Sequence, residues 1–156
     1  MSKLQGDPRT LFGCYCAACP FSRNGLAIRP VFAEGPARAA GALAGEGPGN
    51  EEADRGRPFV GATGEELDGE ILAVGLKRAD VLIINAMACK PKPGKTQDDL
   101  KKATDCCRPA FLAQLRAHGV QHVFLMGKWA AYAAYGKLKK VKTARGYLRS
   151  WSIADT

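Results

Sequence analysis

Asp80 to Ala88 reads Asp-Val-Leu-Ile-Ile-Asn-Ala-Met-Ala, and this nearly continuous apolar run constrains the fold more than any other segment. A strand with one wet face alternates polar and apolar residues. A strand without that alternation is covered on both faces, which is the condition of a parallel sheet packed between helices. Asn85 interrupts the run near its carboxyl end. A polar amide there is either a structural hydrogen-bond hub or a contact for a ligand.

The rest of the chain supplies partners for such a strand. Ala39-Ala40-Gly41-Ala42-Leu43-Ala44 reads as a short buried strand, and Glu65 to Leu76 as a helix whose Leu67, Ile71, Leu72 and Leu76 are expected to face the sheet. Thr96 with Asp99 makes a capping box that opens a second helix, with Leu100, Ala103, Cys107, Phe111 and Leu115 inward. Pro109 is expected to bend or restart that helix. Val120 to Met126 reads as a third strand, Gly127 to Tyr135 as a third helix, and Pro30 to Ala33 as a short β-like piece. Strands alternating with helices imply an α/β fold with a largely parallel sheet. A chain of 156 residues suits one domain with a real core.

Open α/β sheets bind ligands in loops at the carboxyl ends of their strands. The loop after the first strand, Gly45 to Gly64, is rich in glycine and proline and holds a carboxylate, Glu46, directly after the strand and an aromatic ring, Phe59. A carboxylate can activate water, and a ring can stack on a flat group.

Charge is distributed unevenly. Residues 1–105 carry fourteen Lys or Arg against fourteen Asp or Glu, whereas residues 106–156 carry nine against one, Asp155. The net charge of +8 therefore resides in the last third, where Lys137, Lys139, Lys140, Lys142, Arg145 and Arg149 cluster. A polyanion is the natural partner, nucleic acid first. A second basic stretch, Lys90 to Lys95, follows Cys89. No stretch approaches the roughly 20 apolar residues of a membrane span, and Met1 to Thr10 has no apolar signal-peptide core. The expected compartment is the cytosol of a prokaryote or of a phage-infected cell, and the expected state is a monomer.

Cys16 and Cys19 have the C-x-x-C spacing that brings two thiolates to one centre. Zinc, a redox pair and an iron–sulfur cluster all satisfy that spacing.

Gly45-Glu46-Gly47-Pro48-Gly49, followed by Gly56-Arg57-Pro58-Phe59-Val60-Gly61, resembles the first motif of the iron–sulfur, or family 4, uracil-DNA glycosylases. The likeness runs from about Cys16 to Gly136. The expected architecture is then a three-layer α/β/α sandwich around a central, mainly parallel four-stranded sheet. The resemblance implies hydrolysis of the N-glycosidic bond of a flipped deoxyuridine in DNA, with release of uracil for base excision repair. It implies that Glu46 activates the attacking water, that Phe59 stacks on the base, that Asn85 reads its polar edge, and that Gly45 and Gly47 line the pocket. It further implies a [4Fe-4S] cluster held by Cys16, Cys19, Cys89 and Cys107. Cys14 and Cys106 then read as a spare thiol and a small core residue, each close enough in sequence to replace a neighbouring ligand. The family's later His-Pro motif does not occur in these 156 residues, and its role is not transferred to His118 or His122. A single glycosylase-like domain shortened at its C-terminus is therefore expected. A catalytically weakened protein that binds DNA or another protein is the alternative.

Overall fold

The computed structural model describes residues 13–23, 25 and 28–137. Three strands, β1 (Ala42–Gly45), β2 (Leu82–Asn85) and β3 (Val123–Leu125), form a parallel sheet in the order β2-β1-β3. Four helices connect and cover them: α1 (Asn50–Arg55), α2 (Ala62–Ala73), α3 (Gln97–Ala117) and α4 (Lys128–Tyr135).

The pleat of the two buried strands sorts their side chains into layers. Ala42 and Ala44 of β1 and Leu82 and Ile84 of β2 join Phe111, Leu112, Leu115, Ala130 and Ala133, so α3 and α4 cover that face. Ile83, with Val81 just before the strand, packs with Ile71 and with the partly buried Leu43, Leu67, Leu76 and Phe59 on the other face. Helices thus flank a parallel sheet on both sides, as the continuous apolar run required. Alanines at alternate positions of β1 let α4 approach closely.

The expected fourth strand is not among the described residues. The piece around Pro30 to Ala33 does run beside β2. The Val31 N–H donates to the Ala88 carbonyl at 2.7 Å, and Glu34 makes an isolated antiparallel bridge to Ile83. The basic cluster from Lys139 onward and the apolar piece Tyr147 to Ile153 lie outside the described residues.

Three local expectations are corrected. The β1–β2 loop contains a helix, α1, which its charged sequence Asn-Glu-Glu-Ala-Asp-Arg, without apolar periodicity, did not announce. Leu72 is 71% exposed. It follows Ile71 by about 100° around the helix, so a helix touching the sheet along a narrow stripe cannot bury both. Of the two outcomes expected at Pro109, a restart does not occur, for α3 runs unbroken from Gln97 to Ala117. Burial of Leu100, Ala103, Phe111, Leu112 and Leu115 along its length outweighs the one helical hydrogen bond that proline removes. The capping box is present as expected: the Thr96 hydroxyl accepts from the Asp99 N–H at 3.1 Å, and the Asp99 carboxylate accepts from the Thr96 N–H at 3.0 Å.

Candidate functional site

The carboxyl edge of the sheet brings three of the predicted residues together. Gly45 ends β1, Asn85 ends β2, and the register pairs them directly. A Cβ on Gly45 would stand 2.4 Å from Phe59 Cζ and 2.7 Å from Asn85 Oδ1. Phe59 and Asn85 therefore meet over a backbone position that only glycine can fill. Asn85 is 7% exposed, and its Oδ1 is a buried side-chain oxygen without a hydrogen-bond partner. An unpaired buried acceptor costs about 1–3 kcal/mol. This one lies at the edge where open α/β sheets take their ligands. Of the two readings open for Asn85, the backbone hub is the one its unpaired oxygen argues against.

Phe59 has a left-handed backbone, φ 50. That conformation costs a residue with a Cβ roughly 1–2 kcal/mol, so the surroundings must impose it. Gly64, in the first turn of α2, lies so close to the Phe59 carbonyl that a Cβ there would be 2.0 Å from the oxygen. Glu52 on α1 holds the next two residues. Its Oε1 accepts from the N–H groups of Val60 and Gly61, each at 2.9 Å, while Oε2 accepts from the Gly49 N–H at 3.0 Å. Partial burial works to raise the Glu52 pKa, but the amides of Gly61, Val60 and Gly49 outweigh it and hold the carboxyl below its ordinary value. Glu52 was missed at the sequence level. Its only local signal is its position three residues after Gly49, at the start of a helix.

Glu46 directly follows β1 and is exposed. Its backbone is fixed, because its carbonyl accepts from the Met87 N–H at 2.9 Å. The carboxylate thus stands in solvent one residue beyond Gly45. Gly47 meets Met87 and Pro91 only at ordinary contact distance, 3.5 Å, so close packing does not by itself require glycine there. His118 is tied through Nδ1 to the Pro36 carbonyl at 2.8 Å. His122 is exposed just before β3, at the opposite end of the parallel sheet from Asn85.

A second group lies beside α3. Cys14, Cys16, Cys19, Cys89, Cys106 and Cys107 line one small cavity whose other walls are Ser22, Pro30, Phe32 and Ala88. The segment carrying Cys14 and Cys16 is pinned there by the Tyr15 N–H, which donates to the Cys106 carbonyl at 3.1 Å. None of the six cysteines forms a disulfide. Burial pushes the Cys89 thiol up to about 12 and the Cys106 thiol up to about 11. A hydrogen bond with Cys14, then burial, push the Cys107 thiol up further. Burial of this kind favours the protonated form of Cys89, Cys106 and Cys107. The donor set is soft sulfur in an apolar wall, which suits iron–sulfur or zinc chemistry and not a hard cation. Among the described residues, no three His, Cys, Asp or Glu side chains converge on one ion. The basic loop is anchored to the same region, for Lys92 Nζ donates to the carbonyls of Pro20 at 3.0 Å and Ser22 at 3.2 Å.

The carboxyl edge of this parallel sheet thus presents a buried, unpaired amide oxygen beside an aromatic ring. The family model described as the uracil DNA glycosylase superfamily matches residues 32–154. The type-4 uracil-DNA glycosylase of Thermotoga maritima is 32% identical over 137 residues, covering 87% of this chain and 69% of that protein. The type-4 enzyme of Pyrobaculum aerophilum is 30% identical over 118 residues, covering 76% and 58%. That of Saccharolobus solfataricus is 28% identical over 150 residues, covering 88% and 63%. The chain belongs to the uracil DNA glycosylase superfamily, in its type-4 branch. It spans between 58% and 69% of the length of these three relatives. All three come from prokaryotes, and among the described residues no helix is long and apolar enough to cross a membrane.

Proposed function

We propose that this chain is a uracil-DNA glycosylase, hydrolysing the N-glycosidic bond of deoxyuridine in DNA and releasing uracil. The observation that carries the reading is the buried, unpartnered Oδ1 of Asn85, set against Phe59 over Gly45. A base inside a duplex is out of reach, so the nucleotide must be turned out of the stack into the protein. Uracil then offers an imide N–H flanked by two carbonyls. A side-chain amide has an acceptor and donors to match, which a hydroxyl or a carboxylate cannot supply in the same arrangement. Pairing the imide N–H with Asn85 Oδ1 removes the cost of the orphaned acceptor. The Phe59 ring contributes stacking, worth about 1–3 kcal/mol per base. Gly45 keeps both in place by leaving no side chain between them, and Gly47 continues the pocket wall.

In this reading Glu46 accepts a proton from the water that attacks the sugar carbon, and its negative charge favours the cationic sugar of the transition state. General-base assistance of this kind contributes typically 10²- to 10⁴-fold. Cys16, Cys19, Cys89 and Cys107 would hold a [4Fe-4S] cluster, with Cys14 and Cys106 as additional thiols in the chamber. Bound there, the cluster supplies a structural crosslink and no step of the hydrolysis. It staples the segment around Cys16, the basic loop after Cys89 and helix α3 together. The excess positive charge of residues 106–156 favours the DNA backbone. We place the protein, as a monomer, in a prokaryotic or phage-infected cytoplasm.

The test is release of free uracil, followed by mass spectrometry, from an oligonucleotide with one deoxyuridine at excess protein. Uracil and an abasic site in equal amounts are expected. An intact oligonucleotide that is nevertheless bound in preference to its thymine counterpart would instead mark a binding protein that has lost efficient catalysis.

A further inference from the structure

Arg78 begins a single 3-10 turn, Arg78–Asp80, that leads into β2, yet its guanidinium reaches back to the loop that carries Phe59. Nη1 donates to the Phe59 carbonyl at 3.0 Å and to Asp68 on α2 at 2.8 Å, and Nη2 donates to the Pro58 carbonyl. Nε lies 3.6 Å from Glu34 Oε1. The side chain is only 21% exposed.

We propose that Arg78 is a positioning residue for base recognition, a fork that holds the Phe59 ring in register with Asn85. The inference rests on the reading of this edge as the uracil pocket. Four observations carry it. Phe59 occupies a backbone conformation that it does not prefer, and its carbonyl is one of the two that Arg78 grips. Asp68 fixes the guanidinium to α2, the helix whose Gly64 is closed down on that same carbonyl. Glu34 extends the contact to β2 through its bridge to Ile83, with N–H to carbonyl distances of 2.9 and 2.8 Å. Ile83 is two residues from Asn85 on the same strand, so both side chains point to the same face. The ring and the amide are thereby connected through one planar cation. Arg57 supports the arrangement from outside, gripping Glu34 through Nε at 2.8 Å and Nη2 at 2.7 Å. Lysine cannot replace the fork, because a single ammonium does not present a rigid plane of donors to two carbonyls and a carboxylate.

The alternative is a plain structural ion pair, and the two roles separate experimentally. Arg78→Met and Arg78→Lys are compared with the parent protein, each well below its melting temperature. Two quantities are read: hydrogen exchange at the Val60 and Gly61 amides, and affinity for a uracil-containing oligonucleotide against its thymine counterpart. In Arg78→Met the exchange is expected to quicken at least about tenfold. Uracil-oligonucleotide affinity should fall by between about 5-fold and 150-fold, the range spanned by one stacked base, while thymine-oligonucleotide affinity stays level. In Arg78→Lys most of the melting temperature should return without the uracil preference. Unchanged exchange together with an intact uracil preference in Arg78→Met would overturn the proposal. If that variant does not fold, Arg78→Lys and Asp68→Asn carry the same two measurements. Should the parent itself show no preference for uracil, that failure belongs to the glycosylase reading. The exchange measurement then still decides whether Arg78 holds the loop.

Discussion

Gly45→Ala adds a single methyl group, and the structure states where it would go. The new Cβ would lie 2.4 Å from Phe59 Cζ, 2.8 Å from Phe59 Cε2 and 2.7 Å from Asn85 Oδ1. Contacts that short cannot persist, so a neighbour must give way. The strand cannot, because Gly45 is laddered to Asn85 and its carbonyl accepts from the Ala86 N–H at 2.9 Å. The ring edge can, since Phe59 is only partly buried. Overpacking of a core typically costs about 1–3 kcal/mol. A ring free to swing aside places this substitution at the low end, near 1 kcal/mol, or roughly 2–4 °C in melting temperature for a domain of this size. The functional loss should be much larger in relative terms. A displaced ring forfeits stacking of about 1–3 kcal/mol, a factor of about 5 to 150 in affinity. The assay is fluorescence anisotropy with a labelled oligonucleotide containing uracil or thymine, run beside thermal melting. Adding Phe59→Ala should remove the ring's share of the Gly45→Ala effect on uracil binding and leave the share that acts through Asn85 Oδ1. A Gly45→Ala protein that binds uracil-DNA as tightly as the parent would refute the geometry argued here.

Further outcomes follow from the same structure. Glu46→Gln keeps the shape of an exposed side chain, so uracil-DNA binding should persist while the single-turnover cleavage rate falls about 10²- to 10⁴-fold. In anaerobically purified protein, Cys89→Ser and Cys107→Ser should each lose iron and visible absorbance, whereas Cys106→Ser should retain both. Stoichiometric zinc without iron in the parent would contradict the cluster. Glu34 is held below its ordinary pKa by its hydrogen bonds with Arg57, and Glu52 likewise by backbone amides despite its burial. Groups depressed in the folded state stabilise it above their unfolded pKa, and that contribution disappears as pH falls toward the folded value. Denaturant midpoints should therefore be level above about pH 5 and decline below about pH 4, with a shallower decline in Glu52→Gln.

How far the sequence revealed this arrangement depended on whether the cause was local. The run through Asn85 announced a strand buried on both faces, and Thr96 with Asp99 announced a helix start within one residue. Each signal is a property of neighbours along the chain. The position of Asn85 as the polar residue in an apolar strand was visible for the same reason, while the lack of a partner for its oxygen was not. Glu52 and Arg78 were invisible because their partners are distant: Glu52 is eight residues from Val60, and Arg78 is nineteen from Phe59. A carboxylate in a charged helix and an arginine before a strand look like solvated surface until the loop is folded over them. Leu72 shows the reverse error. Helical spacing identified a stripe but not its width, which is set by how closely α2 meets the sheet. For the cysteines, spacing grouped Cys16 with Cys19, but only the fold shows that Cys14 and Cys106 line the same chamber.

The central claim is that Asn85 reads the uracil edge, and it is tested most directly by single-turnover release of uracil by the parent and Asn85→Ala under identical conditions, with thymine in the same sequence as control. The parent should free uracil and leave thymine in place. Asn85→Ala should slow uracil release by roughly 10- to 100-fold, since the imide edge is left buried without its partner, while the far-ultraviolet spectrum and thymine-oligonucleotide binding stay unchanged. Release by Asn85→Ala at the parent's rate would show that the unpaired oxygen at the end of β2 does not meet the base, and the account of the site would be wrong.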